Sequence, residues 1–345
     1  MAYTTIDDPT IFFNTVLYTG TGSSNAITGV GFQPDWVWLK QRNSDNRSHH
    51  VYDVVRGVQK FLHIDATTVE ATQTNAISSF DSDGFTVGNN INLNGSSDTY
   101  ASFNWKAGGS STSSNSDGSI TSTVSANTTA GFSIVTYTSN STSSNETVGH
   151  GLGVKPDMVI TKNRDTAYNW DIYHSSLGYN ANLIFTDAAT RSGAFGTSEP
   201  TSTVFRTSPS FTTNLTNKYV AYCFAGKQGY SKFGKYTGNG NASGAFIYTG
   251  FSPAFIIIKR TDTTAEWHMI DNKRNTFNTV NNVLSPNTTG SEATTSSNPI
   301  DFTSQGFKCK GTGTQVNADG GSFIYMAFAE HPFVTAGTKA AGTAR

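Results

Sequence analysis

The chain has 345 residues and a formal net charge of −1, because 23 lysines and arginines face 24 aspartates and glutamates. This balance excludes the concentrated positive surface of a nucleic-acid-binding protein, and no polybasic run indicates a membrane-surface partner. Only 14% of the residues are charged and 12% are aromatic, while serine, threonine, asparagine and glycine are abundant. Such residues favour strands and turns over helices, so the composition predicts an all-β protein.

The chain starts with MAYTTIDDPT, which has neither the basic nor the apolar region of a secretory signal. The longest apolar runs are too short to insert into a membrane. We therefore expect a protein that is made in a cytoplasm. Two cysteines, Cys223 and Cys309, stand at unrelated positions and are expected to be free thiols rather than a disulfide.

Three similar segments follow one another along the chain. Each opens with a proline, an apolar run and basic residues: FQPDWVWLKQRN at 32–43, VKPDMVITKNRD at 154–165 and FSPAFIIIKRTD at 251–262. A second strand, a phenylalanine-containing strand and an aromatic closing strand follow in the same order each time, the last being YASFNWKA, YVAYCFAG or FIYMAFAE. The repetition predicts three tandem, related antiparallel β-sandwich units, jelly-roll or lectin-like, of about 100 residues each.

The repeats also suggest domain boundaries. We expect unit 1 with an N-terminal arm at 1–107, a Ser/Thr/Gly-rich linker at 108–130 and unit 2 at 131–226. Unit 3 is expected at 227–330 and a C-terminal tail at 331–345. Within the linker, SITSTV is a candidate strand. A unit of this size can bury its own core, although only marginally, so packing between units would add stability.

The opening phrase of each unit is expected to be a strand that is buried on both faces, with proline at its start. The basic residues that close it have two interpretations. Either their stems cover the sheet edge and their heads reach water, or they form a repeated ligand contact. The pairs are Lys40 with Arg42, Lys162 with Arg164, and Lys259 with Arg260.

No residue pattern indicates catalysis. The six glutamates are scattered, and the histidines lack zinc-ligand spacing. The acidic DSDG at 81–84 suits a plain turn, with a half-formed calcium loop as the alternative. We therefore predict a protein that is not an enzyme, with no catalytic residue, no metal and no cofactor.

One loop follows the same strand in each unit, at 43–50, 165–170 and 261–267. These loops are either solvent-exposed turns or a repeated surface that contacts polar, uncharged ligands such as sugars. The candidate contact residues are His49, His50, Tyr168, Trp170, Glu266 and Trp267.

Several motifs carry a resemblance to a known family, among them SFDSDGFTVG, FNWKAGG, VGHGLGVKPDM and YMAFAEHPF. They resemble virion proteins of tailed bacteriophages of marine, cyanophage type, whose sandwiches are similar to those of concanavalin A-like lectins and glucanases. The resemblance implies a structural protein of the virion, in a tail, fibre or head decoration, that contacts other virion proteins. It also suggests a homo-oligomer, with a trimer favoured. The alternative is a lectin-like adhesin for host-surface glycan, and the third option is a polysaccharide-degrading enzyme.

Overall fold

The computed structural model describes residues 3–44, 46–140, 146–186, 191–192, 198–206 and 216–335. The fold is all-β, with antiparallel sheets packed face to face, as the sequence predicts. The described helices are a 3-10 turn at Pro9–Ile11 and a one-turn α-helix at Ile91–Asn94. Neither they nor any other described helix is long and apolar enough to cross a membrane. Both cysteines are free and buried, which confirms the expectation for them.

The first third of the chain forms a six-stranded sheet in the order β1-β9-β3-β4-β5-β6 and a small sheet in the order β2-β8-β7. The strands are β1 (Phe13–Thr19), β2 (Asn25–Ile27), β3 (Trp36–Gln41), β4 (His50–Asp53), β5 (Lys60–His63), β6 (Ala71–Thr72), β7 (Ile77–Asp81), β8 (Gly84–Val87) and β9 (Thr99–Trp105).

The middle third forms an eight-stranded sheet in the order β10-β11-β12-β19-β14-β15-β16-β17 and a small pair, β13-β18. The strands are β10 (Ser113–Asn115), β11 (Ser122–Asn127), β12 (Phe132–Thr138), β13 (Thr147–Gly149), β14 (Met158–Asn163), β15 (Asp171–His174), β16 (Ala181–Ile184), β17 (Arg191–Ser192), β18 (Val204–Arg206) and β19 (Lys218–Phe224). The segment 108–130, which we predicted to be a linker, therefore contributes β10 and β11, and β11 covers the edge of β12.

The last third forms a four-stranded sheet in the order β20-β28-β22-β23, with two small sheets, β21-β27-β26 and β24-β25. The strands are β20 (Ser231–Thr237), β21 (Phe246–Tyr248), β22 (Phe251–Arg260), β23 (His268–Asp271), β24 (Asn282–Val283), β25 (Ala293–Thr294), β26 (Ile300–Thr303), β27 (Gly306–Cys309) and β28 (Ser322–Pro332). Strand β28 extends into the predicted tail, of which residues 336–345 lie outside the described residues.

The three large sheets pair their strands in the same order: β1-β9-β3-β4, β12-β19-β14-β15 and β20-β28-β22-β23. The strands that begin near the prolines of the opening phrases, β3, β14 and β22, are central in each. Successive side chains on a strand point to opposite faces, so each apolar run serves two cores. The division of the chain into three separate domains stays a prediction.

The inner faces of the three large sheets pack into one shared hydrophobic core. The ring of Trp36 stacks on Tyr222 of the second sheet at 4.4 Å between centroids. Phe13 stacks on Phe328 of the third sheet at 5.1 Å, and Phe328 lies 6.0 Å from Phe224. Each sheet thus buries its inner face against the other two. A separate, smaller core lies between each large sheet and its outer strands.

Loops between neighbouring sheets close this arrangement into a ring. The indole of Trp170, in the second sheet, donates to the carbonyl of His63 in the first sheet at 2.7 Å. The indole of Trp267, in the third sheet, donates to the carbonyl of Ile184 in the second at 3.2 Å. The amide of Glu292, in the third sheet, donates to the carbonyl of Arg42 in the first at 2.8 Å. Each large sheet is therefore hydrogen-bonded to both others.

Candidate functional site

Four of the six predicted contact residues are buried. The exposed fraction is 0% for His49 and Trp170, 2% for Trp267 and 3% for His50. Each tryptophan donates its indole N–H to a strand of the adjacent sheet, Trp170 to the end of β5 and Trp267 to the end of β16. The His49 ring accepts a hydrogen bond from Trp38 Nε1 at 2.9 Å. The prediction that these four side chains contact a surface ligand is therefore wrong, because they are enclosed by protein.

The other two predicted residues lie nearer the surface. Tyr168 is half-buried, and Glu266 is exposed and accepts a hydrogen bond from the Ser285 hydroxyl at 3.1 Å. Residue 45 of the loop 43–50 lies outside the described residues. The structure does not gather the six residues into one surface, since four are buried, one is half-buried and one is exposed.

The repeated lysines do not reach water, contrary to the first of the two interpretations above. Lys40, Lys162 and Lys259 are at most 1% exposed. Their ammonium groups donate to main-chain carbonyls of loops, at Thr289, Thr67 and Ala265 respectively. Burial lowers the pKa of Lys162 to about 7, and the nearby Asp171 carboxylate offsets part of that shift. These lysines hold loops against the sheets, which is a structural role.

Two of the three repeated arginines, Arg42 and Arg164, join ion networks between sheets, whereas Arg260 pairs with Asp262 two residues along the chain. Arg56 donates to Asp53, to Glu70 at 3.2 Å and to the Tyr222 hydroxyl of the second sheet at 3.2 Å. Arg164, also of the second sheet, binds Glu70 with two hydrogen bonds at 2.8 and 2.9 Å. Burial raises the pKa of Glu70, but the two arginines outweigh it and leave that pKa below its usual value. The network ties the first sheet to the second.

A corresponding network ties the third sheet to the first. Arg274 donates to Asp271 and to Glu292, and Glu292 also accepts two hydrogen bonds from Arg42. The second sheet carries His174 and Leu177 at the strand positions of Asp271 and Arg274. Its contact with the third sheet lacks an ion network of this kind among the described residues.

The acidic motif at 81–84 forms a turn. The Asp83 carboxylate accepts hydrogen bonds from the amides of Gly29 and Gly31, at 3.0 and 2.6 Å. The Asp81 carboxylate accepts one from the Thr86 hydroxyl at 2.7 Å. No group of three or more metal-binding side chains occurs in the part of the chain that the structure describes.

A surface groove of about 290 Å³ lies where the chain passes from β19 of the second sheet to β20 of the third. We call it the Tyr248 groove. The side chains that give it chemical character are those of Tyr3, Asp157, Lys227, Gln228, Lys232 and Tyr248. Aromatic rings together with a few charged groups are the usual lining of a site for a small polar ligand.

The aromatic wall of the groove comes from the outer strand β21. Ile247 points into the outer core, so its neighbours Phe246 and Tyr248 point outward and are 51% and 48% exposed. The Tyr3 hydroxyl donates to the Gly250 carbonyl at 2.7 Å and lies 3.4 Å from the Tyr248 hydroxyl. Burial and the neighbouring Tyr248 raise the pKa of Tyr3 to about 12, so its hydroxyl stays protonated at neutral pH.

Three charged groups line the same groove. Lys232 lies over the Tyr248 ring, 5.2 Å from its centroid, and donates to the Tyr248 carbonyl at 2.8 Å. Lys227 forms no ion pair with the residues that the structure describes, and burial lowers its pKa. Asp157 accepts hydrogen bonds from the Gly226 amide at 2.8 Å and the Ser175 hydroxyl at 3.0 Å. The Tyr248 groove therefore carries two ammonium groups against one carboxylate.

A second groove, of about 480 Å³, lies at the corresponding passage from the first sheet to the second. We call it the Asp35 groove. Asp35 matches Asp157 in position and accepts hydrogen bonds from the amides of Ala107 and Gly109, at 2.7 and 3.0 Å. Lys106 also lines this groove, but no aromatic side chain does. The two grooves share a carboxylate and an ammonium and differ in the aromatic wall.

Comparison with known proteins gives one family. The model of a domain of unknown function, DUF7483, matches residues 8–332. The chain belongs to the DUF7483 family. The match spans all three large sheets of this DUF7483 chain, the Asp35 groove, and the Tyr248 groove apart from Tyr3. Searches of curated proteins and of solved structures each return no match.

Proposed function

We propose that the protein is a non-enzymatic structural component of a phage virion, in a tail, fibre or head decoration, and acts through protein–protein contacts. The observation that carries this proposal is the closed ring of three sheets around one core. Buried ion networks at two of the contacts between sheets hold the ring together. Such a body presents its outer surface in a fixed geometry, which suits a part that must fit repeatedly into a large assembly.

Open sheet edges support the homo-oligomer that we propose with it. Among the described strands, β1 and β20 stand at the ends of their large sheets and each pairs with one neighbouring strand, whereas β11 covers β12. An uncovered edge offers main-chain hydrogen-bonding groups to another chain. A trimer would pair these edges with other copies or with other virion proteins.

Electron microscopy of purified particles tests this proposal. Particles labelled with an antibody against the chain are expected to show it at one fixed position of the tail or head. Light scattering on the purified protein is expected to give three times the mass of the 36.9 kDa chain. Absence of the chain from purified particles would overturn the virion role, and a monomer at micromolar concentration would overturn the trimer.

The second candidate function is lectin-like binding of host-surface glycan, and the Tyr248 groove favours it. The groove combines an outward-facing aromatic ring with hydrogen-bonding groups of both kinds, which sugars require. A glycan array with the purified protein tests this function. No binding at millimolar sugar would leave the structural role alone.

A further inference from the structure

We propose that the Tyr248 groove binds a sugar that carries a carboxylate, such as a hexuronate unit of an acidic polysaccharide. This inference rests on the glycan-binding function proposed above and names its substrate class.

The size of the groove limits the ligand to a small unit. At about 290 Å³ the groove lies near the lower end of small-molecule sites, so it suits a single sugar ring better than a longer segment. The groove is open to solvent along the exposed side chain of Tyr248. A ring held there can extend into a longer chain on that open side.

The charges of the groove select an acid. The groove is lined by two lysines, Lys227 and Lys232, and by one acidic residue, Asp157. Lys232 is already held by the carbonyl and the ring of Tyr248, and Asp157 already accepts two hydrogen bonds. Lys227 is partly desolvated and has no ion-pair partner among the described residues, so an incoming carboxylate would supply the charge that it lacks.

The remaining groups match a sugar ring. The free lone pairs of Asp157 can accept ring hydroxyls, because each oxygen of an ionised carboxylate can accept more than one hydrogen bond. Tyr248 offers a flat apolar surface to the C–H groups of the ring. Tyr3, protonated at neutral pH, adds a hydroxyl at the rim. An acidic sugar is thus matched by a cation, an acceptor and an aromatic wall.

The Asp35 groove provides the matched control. It has a carboxylate and a lysine at the corresponding passage, but it lacks the aromatic wall and the second lysine. Its one lysine is balanced by its one carboxylate, and it offers no ring surface to a sugar. We therefore expect only the Tyr248 groove to bind.

Titration calorimetry with tetragalacturonate and with the neutral tetragalactose tests the inference at low and high salt. We expect the acid to bind about tenfold more tightly than the neutral sugar, and salt to reduce that preference. Lys227→Met is expected to remove the preference and leave neutral binding unchanged. Tyr248→Leu is expected to weaken the binding of both sugars by about tenfold. Lys106→Met is expected to change the binding of neither. Unchanged near-ultraviolet circular dichroism would show that each variant is folded.

Three outcomes would overturn parts of the proposal separately. Equal affinity for the acidic and neutral sugars would overturn the claim that the groove prefers an acidic sugar, but would leave the glycan-binding function in place. No binding of either sugar would overturn this inference, and the glycan array would decide the glycan-binding function separately. If Lys106→Met reduced the preference for the acidic sugar as much as Lys227→Met does, the site would not be confined to the Tyr248 groove.

Discussion

Replacement of Arg56 by leucine tests whether the buried ion network holds the sheets together. The guanidinium group bonds to Asp53 and Glu70 in its own sheet and to Tyr222 in the second sheet. The side chains of Asp53 and Arg56 are both 0% exposed. The variant leaves the Asp53 carboxylate buried without its cation.

The expected loss is about 3 kcal/mol in the free energy of unfolding. Removal of one partner from a buried ion pair costs about 3–5 kcal/mol. The lower end applies here, because Asp53 keeps hydrogen bonds from two main-chain amides and from the Tyr222 hydroxyl. Glu70 also keeps its two bonds to Arg164.

The second sheet supplies a natural control for this variant. It has His174 and Leu177 where the first sheet has Asp53 and Arg56, and His174 Nδ1 accepts from the Ser176 amide at 3.2 Å as Asp53 Oδ1 accepts from Val55. The double variant Asp53→His with Arg56→Leu removes both charges and keeps this turn. We expect it to lose no more than about 2 kcal/mol, less than the single variant.

Urea unfolding, followed by tryptophan fluorescence, measures both values, and urea avoids the screening of ion pairs that guanidinium would cause. A loss below about 1 kcal/mol for Arg56→Leu would refute the reasoning, since the network would then contribute no more than a surface ion pair. A double variant as unstable as the single one would refute the claim that the uncompensated charge is the cause.

Three further predictions follow from the shared core and from buried groups. The fragment 131–226 alone is expected to lack the circular dichroism of a folded sheet, because its inner face packs on the other two sheets; a cooperatively folded fragment would contradict this. Burial lowers the pKa of His174 and His268 to about 4, so between pH 6.5 and pH 4 these two histidines bind a proton in the unfolded chain but not in the folded one. The free energy of unfolding should therefore fall from pH 6.5 towards pH 4, by up to about 1.4 kcal/mol per pH unit for each histidine, and a flat urea-midpoint profile would contradict it. Burial raises the pKa of Cys309 to about 11 and that of Cys223 further, so a thiol reagent should label neither in the native protein and both after unfolding.

The sequence was sufficient for the fold class and for the central strands. Alternation and turn residues act locally, so the opening phrases correctly marked β3, β14 and β22 as buried strands. The shared core was not predictable in this way. A run such as MVITK shows that both faces are apolar, but the sequence does not show which other segment covers each face.

The same limit explains the errors at the predicted contact loops. Trp170 and Trp267 follow polar loops and therefore resemble surface aromatics, yet each is buried and hydrogen-bonded to the end of a strand of the adjacent sheet. The Tyr248 groove was missed for the opposite reason. The FIY of β21 is typical of a buried strand, and only the inward position of Ile247 shows that Phe246 and Tyr248 point outward.

The closed ring also limits how such a chain can change in length. In a solenoid, a further repeat can be added because each repeat touches only its neighbours. Here each large sheet touches both others, so a fourth sheet would have to break an existing contact and enlarge the core. New material can be added only at the edges of the sheets, and the hairpin of β10 and β11 beside β12 is an instance. We therefore expect relatives of different length to differ in hairpins and loops around a constant set of three large sheets.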